Sequence, residues 1–323
     1  MTAITVTLSG MHRRQQGVAL ITAMLVVTLA TILAVGMISR QQFDIRRTGN
    51  LQQLEQALLY HMAVEDHATP LLQKYWDEIE FVSRESFEAY TTLAPIGYQE
   101  AIEGGTISVS LTLEQQGRFN INNLVKQGKA DEKRVAQFRR LMNVLEIEAV
   151  PVDAIIDWLD ADQEVTYPDG AEDGDYLGYE IPYRSANRAM VDRSELMLVK
   201  GVEREMYEKL LPHISVLPEG SEMNVNWMDS YQLMALDAEI TQGDAESLIS
   251  VRDGKSFESV QDFIKQDALA GRTIEEDGLT VSNDYFMLHT TVEIDRLQQR
   301  YLSLLKKGEN NKMSTIKRSR ELY

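Results

Sequence analysis

The stretch from Val18 to Ile38, VALITAMLVVTLATILAVGMI, carries no charged side chain and follows the short basic leader HRRQQG. At about 1.5 Å of rise per residue, such a helix is roughly 31 Å long, which matches the hydrocarbon thickness of a bilayer. It is long enough to cross a membrane once. Arg13 and Arg14 precede it, and Arg40, Arg46 and Arg47 follow it. The arginine pair close before the run points to a cytoplasmic N-terminus, with the rest of the chain in the periplasm or outside the cell.

A cleaved secretory signal has a shorter apolar core and small residues after it. Here the run is longer, it continues into a helical pattern, and the conspicuous processing point, Gly17, lies before it. This arrangement resembles the prepilin leader of type IV pilins and type II secretion pseudopilins, whose dedicated peptidase cuts after the glycine and leaves the apolar helix in place. The resemblance implies cleavage between Gly17 and Val18 and N-methylation of Val18. A plain signal anchor is the alternative. Most pilins carry glutamate at the fifth mature position, where this chain has Thr22. In the family that carboxylate is thought to meet the terminal amine of a neighbouring subunit, so threonine suits a first-assembled tip subunit with no subunit ahead of it. Met11 sits where such a leader would start, and Met1–Gly10 reads as an upstream extension.

The chain has 323 residues, 44% of them hydrophobic, enough for two packed domains. Its net charge is −18. Removing Arg13 and Arg14 with the leader gives −18 − 2 = −20. An acidic surface of this kind repels nucleic acid and suits cations or basic partners. The absence of cysteine excludes disulfides, thiolate metal sites and cysteine nucleophiles.

Beyond the apolar run, Phe43, Leu51, Leu54, Leu58 and Met62 recur at helical spacing, broken at Arg47, and Pro70 predicts a kink or end near Ala68 or Thr69. Ile107, Val109, Leu111 and Leu113 alternate with polar residues, as do Phe286, Leu288, Thr290, Val292 and Ile294, and a third strand is expected around Arg300–Leu305. The long interval between the first two strands reads as an inserted helical domain. Inside it, VDAIIDWLD with Pro151 at its start is helical. SELMLVKGVEREMYEKLLPHI and WMDSYQLMALDAEITQGDAESLISVRD each read as paired short helices. FNINNL at 119–124 and MNVNWM at 223–228 echo each other, with asparagine placed to cap a helix. These helical hairpins resemble helix-hairpin-helix units, here read as packing rather than DNA-binding elements because the surroundings are acidic. The boundaries expected are a leader at 1–17, a membrane helix at 18–38, a head at 39–120 and 281–307, an insertion at 121–280 and a disordered basic tail at 308–323.

The densest chemistry lies in DWLDADQEVTYPDGAEDGDYLGYE, where eight carboxylates fall between Asp157 and Asp175. Pro168, Gly170 and Gly174 supply turns that can fold them around a cation. Calcium suits hard oxygen ligands, and zinc is disfavoured because the segment has no histidine or cysteine. An EF-hand is excluded by Val165 at its glycine position. A solvated acidic loop is the alternative.

Taken together, GVALITAMLVV, FNINNL, DWLDAD, GAEDGDY, PYRSANRAMVDRSELMLVKGV, MNVNW and RDGKSFESVQDF resemble general secretion pathway protein K, the large minor pseudopilin family of type II secretion. The resemblance implies an α+β fold: a pilin-like long N-terminal helix packed on a small antiparallel sheet, with a large inserted all-α domain. It also implies bound calcium, one or two ions, with candidate ligands Asp160, Asp162, Asp169, Glu172, Asp173 and Asp175. The implied partners are the I and J minor pseudopilins, the prepilin peptidase and the inner-membrane assembly platform, with secreted substrates or the outer-membrane secretin beyond them, in a membrane protein that binds no nucleic acid.

No catalytic constellation accompanies these features. There is no G-x-S-x-G, H-E-x-x-H or phosphate-cradling loop, and His12, His61, His67, His213 and His289 are scattered. The expectation is a non-enzymatic subunit at the pseudopilus tip that helps start assembly. The alternatives are a minor pilin of a type IV pilus or competence system, and a signal-anchored periplasmic DNA-binding protein.

Overall fold

The computed structural model describes residues 15–74, 97–148 and 151–321. The leader before Gln15 lies outside them. The chain divides into two units, residues 1–59 and 60–323.

The first unit is helical. Helix α1 runs from Gln15 to Lys74, and in this unit every residue from Val18 to Gln52 is exposed. The hydroxyls of the apolar run are satisfied within the helix: Thr22 Oγ1 donates to the carbonyls of Val18 (3.1 Å) and Ala19 (3.0 Å). Thr28 and Thr31 donate to Met24 and Val27. A helix that pairs all its polar groups internally meets the requirement for crossing hydrocarbon.

The second unit begins inside α1. Its buried helical positions are His61, Val64, Glu65, Ala68 and Leu72, spaced three and four apart as one helical face. This corrects the apolar stripe expected from sequence, since Met62 is exposed and Phe43, Leu51 and Leu58 of the first unit are exposed as well. The helix also continues through Pro70 to Lys74. Pro70 lies on the exposed side, so the carbonyl of Asp66 that loses a partner faces water. Thr69 Oγ1 adds a bond to the Glu65 carbonyl at 2.8 Å.

In chain order the strands are β1 (Tyr98–Ile102), β2 (Gly105–Thr112), β3 (Phe119–Asn120), β4 (Val125–Lys126), β5 (Lys129–Ala130), β6 (Ile214–Ser215), β7 (Met223–Asn224), β8 (Leu279–Thr280), β9 (Tyr285–Ile294), β10 (Leu297–Lys307) and β11 (Met313–Glu321). Five of them form an antiparallel sheet in the order β1-β2-β9-β10-β11. The expected alternation is present: Ile107, Val109 and Leu111 of β2, and Phe286, Leu288, Thr290, Val292 and Ile294 of β9, are buried. The tail expected to be disordered is strand β11. Its apolar signal is small because only Met313 is buried, but it completes a ladder with β10.

Between β2 and β9 lie helices α2 (Glu132–Val144), α3 (Val152–Leu159), α4 (Asp173–Tyr176), α5 (Arg204–Leu210), α6 (Ser230–Met234), α7 (Gln242–Gly254) and α8 (Val260–Ile264). They share one core running from Phe119 to Val281. The sequence echo has a structural counterpart. β3 pairs in parallel with β6, and β7 with β8. At the first site Asn120 Oδ1 accepts from Asn122 N, and at the second Asn224 Oδ1 accepts from Asn226 N. The second asparagine of each pair then grips a distant backbone. Asn122 binds the N–H and carbonyl of Met190 at 2.8 and 3.0 Å. Asn226 binds those of Phe257 at 2.9 and 3.0 Å. Buried amides that pair both their donor and their acceptor fix one chain register.

Candidate metal centre

Helix α3 carries two aspartates that organise the acidic loop before any ion is considered. All eight of its residues are buried. Asp157 accepts from the backbone N–H of Thr166 (3.1 Å) and of Ala171 (2.7 Å), which closes the loop back over the helix end. Gly170 makes the closure possible: a side chain there would meet Asp157 Oδ2 at 2.3 Å and the Thr166 carbonyl at 2.3 Å. Asp153 accepts from Asp169 N at 3.4 Å and pairs with Arg139 at 3.1 Å.

With these two carboxylates engaged, the next ones meet. Oxygen atoms of Asp160, Asp162 and Glu172 all lie within 4.8 Å of one another. Asp160 and Glu172 are 6% and 4% exposed, and Asp160 Oδ1 and both carboxylate oxygens of Glu172 are buried without a hydrogen-bond partner. Burial, reinforced by Asp162 and Asp157, pushes the Asp160 carboxyl up to about 6. Burial, with Asp157 and Asp160 adding to it, pushes Glu172 up to about 7. Low polarity and like charge both disfavour ionisation, so the site is poised to receive a positive charge.

The other expected ligands have different neighbours. Asp173 accepts from Ser185 N at 3.0 Å and faces Arg184 at 3.5 Å. Asp175 takes Lys200 Nζ at 2.6 Å, and this bond is the main reason its carboxyl sits below the usual range. Asp169 lies outside the cluster. The six candidates therefore divide into three that converge and three that frame the loop. Sequence reasoning missed Asn187. Its Nδ2 donates to the Asp162 carbonyl at 2.8 Å, while its Oδ1 is buried without a partner. Its left-handed backbone (φ 46°) within PYRSANRAM is the local mark of a built turn. Ser185 Oγ reaches the Asp157 carbonyl at 3.3 Å, tying the same turn to α3. Trp158, Tyr176 and Tyr183 pack together nearby, Trp158 edge-to-face with Tyr176 at 5.4 Å and Tyr176 tilted against Tyr183 at 5.3 Å.

An all-oxygen donor set with orphaned buried oxygens fits a hard cation of the calcium type. Of the marked N-terminal residues, Gly17 and Val18 are consecutive residues of α1, and Thr22 sits one turn further on with its hydroxyl bonded back to the helix.

A family model described as type II secretion system protein K matches in two parts, its first domain at residues 117–219 and a second at 223–282. The division falls between the two asparagine pairs. Type II secretion system protein K of Pseudomonas aeruginosa is 35% identical over 315 residues, spanning 95% of this chain and 93% of that protein. Its counterpart from Aeromonas hydrophila is 30% identical, spanning 95% and 97%. Among solved structures, the crystal structure of the GspK-GspI-GspJ complex from the type 2 secretion system of enterotoxigenic Escherichia coli aligns with a TM-score of 0.72 and 26% identity, covering 86% of this chain and 100% of that one.

Proposed function

The chain belongs to the type II secretion system protein K family, a minor pseudopilin family of type II secretion, and from that membership we propose that it acts at the pseudopilus tip as a non-enzymatic initiating subunit. The carrying observation is the likeness over 86% of the chain to a protein solved in complex with GspI and GspJ. The corresponding partners here are the I and J minor pseudopilins of its own secretion system. The apolar part of α1 is a single-pass membrane anchor. Its place is the inner membrane, with the head in the periplasm, until the assembly platform takes the subunit into a filament.

Peptidase cleavage between Gly17 and Val18, followed by N-methylation, leaves the apolar helix as the mature terminus. Thr22 brings no carboxylate into that helix bundle, which favours a position with no subunit ahead. The bulky insertion between β2 and β9 would hinder stacking above the head. Asp160, Asp162 and Glu172 would hold calcium, with Asn187 Oδ1 as a further oxygen, and the bound ion would supply the positive charge that these carboxylates lack and link the acidic loop to the turn that carries Asn187. The pilus, competence and DNA-receptor alternatives have less support, because the relatives are secretion-system proteins.

The test is co-expression of the full chain with the I and J pseudopilins of the same system, followed by size-exclusion chromatography in detergent. A stable ternary complex is expected. Three separate peaks at micromolar concentration would remove the tip assignment.

A further inference from the structure

The face of α1 that packs on the sheet buries an ionisable cluster where apolar residues would ordinarily sit. His61 and Glu65 are 1% and 3% exposed. Glu65 receives Arg318 of β11 as a bidentate partner, Nε at 2.9 and 2.8 Å and Nη2 at 2.7 Å. It is also bonded by Ser303 Oγ of β10, and by Thr315 Oγ1 of β11 at 3.3 Å. His61 Nδ1 lies 3.0 Å from Thr290 Oγ1 of β9, and its Nε2 lies 2.9 Å from Ser303 Oγ and 3.1 Å from Glu65. Its ring stacks on Tyr301 at 4.8 Å.

These distances select a tautomer. The single Ser303 proton goes to the Glu65 carboxylate, so His61 Nε2–H donates towards Ser303 and Glu65 while Nδ1 accepts from Thr290. Neutral His61 thus has both nitrogens satisfied. A second proton, on Nδ1, would turn the Thr290 hydroxyl from donor to acceptor and place a full charge on a ring that is 1% exposed and near the Arg318 guanidinium.

The cluster reaches β11 through a bulge. Leu304 pairs with Lys317 but Leu305 pairs with Thr315, so Ile316 is skipped. This irregularity turns Thr315 and Arg318, three residues apart, to the same side of the sheet, where both meet Glu65. Among the described residues β11 is an edge strand, paired with β10 alone. Its long-range ionic tie to α1 is Glu65–Arg318.

We propose that His61, Glu65 and Arg318 form a proton-operated latch on the C-terminal strand, holding β11 to the sheet at neutral pH and releasing it on acidification, which uncovers the edge of β10. The charged and titratable groups facing the cluster are Glu65 on α1, Tyr301 on β10 and Arg318 on β11. Asp66 lies near Arg318, and Arg320 lies near Tyr301. Among the described residues β9 contributes only Thr290. Burial lowers His61, outweighing the nearby Glu65 carboxylate, and Arg318 lowers it further. Burial raises Glu65, but bonds from Arg318 and Ser303, together with His61, bring it below its ordinary value. Both signs agree. His61 contributes stability above about pH 6.5 that is lost as pH falls below that value, and Glu65 contributes stability lost as pH falls below about 4.5.

The test is hydrogen exchange on the full chain in detergent, with rates corrected for intrinsic pH dependence. Between pH 7.5 and 5, protection of Met313–Glu321 should fall relative to Gly105–Thr112, by at most about tenfold per pH unit for the one group titrating there. Arg318→Ala, at a half-exposed side chain, should lower β11 protection at both pH values and leave β2 protected. His61→Gln, which does not titrate, should flatten the pH response. β11 protection that tracks β2 at both pH values overturns the latch, and so does a pH response unchanged by both substitutions.

Discussion

Asp160 and Glu172 stand on either side of the Tyr167–Pro168 turn, yet their carboxylates share one cluster with Asp162, its oxygens within 4.8 Å of one another, and both are buried. Their separation in sequence is bridged by the bonds Asp157 makes to Thr166 and Ala171. A helix aspartate outside the cluster thereby arranges the carboxylates within it.

Calcium titrated into chelator-treated protein should give saturable heat and a raised Tm. At a hundredfold excess over Kd the stabilisation is about 2.7 kcal/mol. Asp160→Ala with Glu172→Ala should abolish the heat, whereas Asp175→Asn should retain it. Heat retained in the double variant would move the site elsewhere.

Without calcium, pH acts on this cluster in the sense opposite to ordinary acid unfolding. Asp160 and Glu172 are raised to about 6 and about 7, so the folded state holds protons that the unfolded state has released. The contribution is fully present below about pH 4, and it is lost as pH rises through 6 and 7. Melting in chelator should therefore show this loss between pH 5 and 8, and millimolar calcium should suppress it. Identical pH profiles with and without calcium would refute the assignment.

Intact-mass analysis of the membrane-extracted protein should place the mature terminus at N-methylated Val18. Gly17→Leu should leave the leader attached. A native terminus elsewhere would refute processing at Gly17.

Asn226→Ala removes both bonds to Phe257 and the acceptor and donor they satisfied. Each buried backbone group left unpaired costs about 1–3 kcal/mol, so with two such groups urea unfolding should show a loss of about 2–6 kcal/mol. A loss below 0.5 kcal/mol, on the order of a surface change, would mean the grip is not structural.

Ending the chain after Gly308 should destabilise the head, because β10 loses its ladder partner β11 and Glu65 loses both Thr315 and the half-exposed Arg318, so the denaturation midpoint should fall. A truly disordered tail would be removed at no cost, so an unchanged denaturation midpoint would contradict the observed strand.

The parts of the fold legible in the sequence are those with simple periodicity. Ile107–Leu111 and Phe286–Ile294 alternate because one face of each strand is buried. β11 escapes that pattern because its inward positions include Thr315 and Arg318, whose partner is a carboxylate rather than a core. His61 and Glu65 are hidden for the same reason: a search for apolar spacing selects Leu58 and Met62, which are exposed. The acidic loop is legible as a place. Which carboxylates converge is not, because backbone N–H groups and the cations Arg184 and Lys200 divide them, and these partners are distant in sequence. Asn120 reads correctly as a cap, that of the Ile121–Leu124 turn, whereas Asn224 closes a turn onto Asn226 N and the next helix is capped by Asp229 instead; the grip of Asn122 on Met190 and of Asn226 on Phe257 spans separations that periodicity cannot reveal.

The pairing of β2 with β9 also dictates an order of events during synthesis. Thr112 and Met287 are ladder partners with the whole insertion between them. Joining the ends of a floppy loop of roughly 170 residues costs about 4–5 kcal/mol in chain entropy before one strand contact repays it. If the insertion has already condensed on its own core, its entry and exit are held side by side and most of that barrier is gone. The sheet is then the last part of the head to close: β9, β10 and β11 form a local meander that can pair within itself, and the five-stranded sheet is complete only when β9 docks on β2. A substitution that slows insertion folding, such as one at Asn122 or Asn226, should therefore delay the whole head rather than the insertion alone.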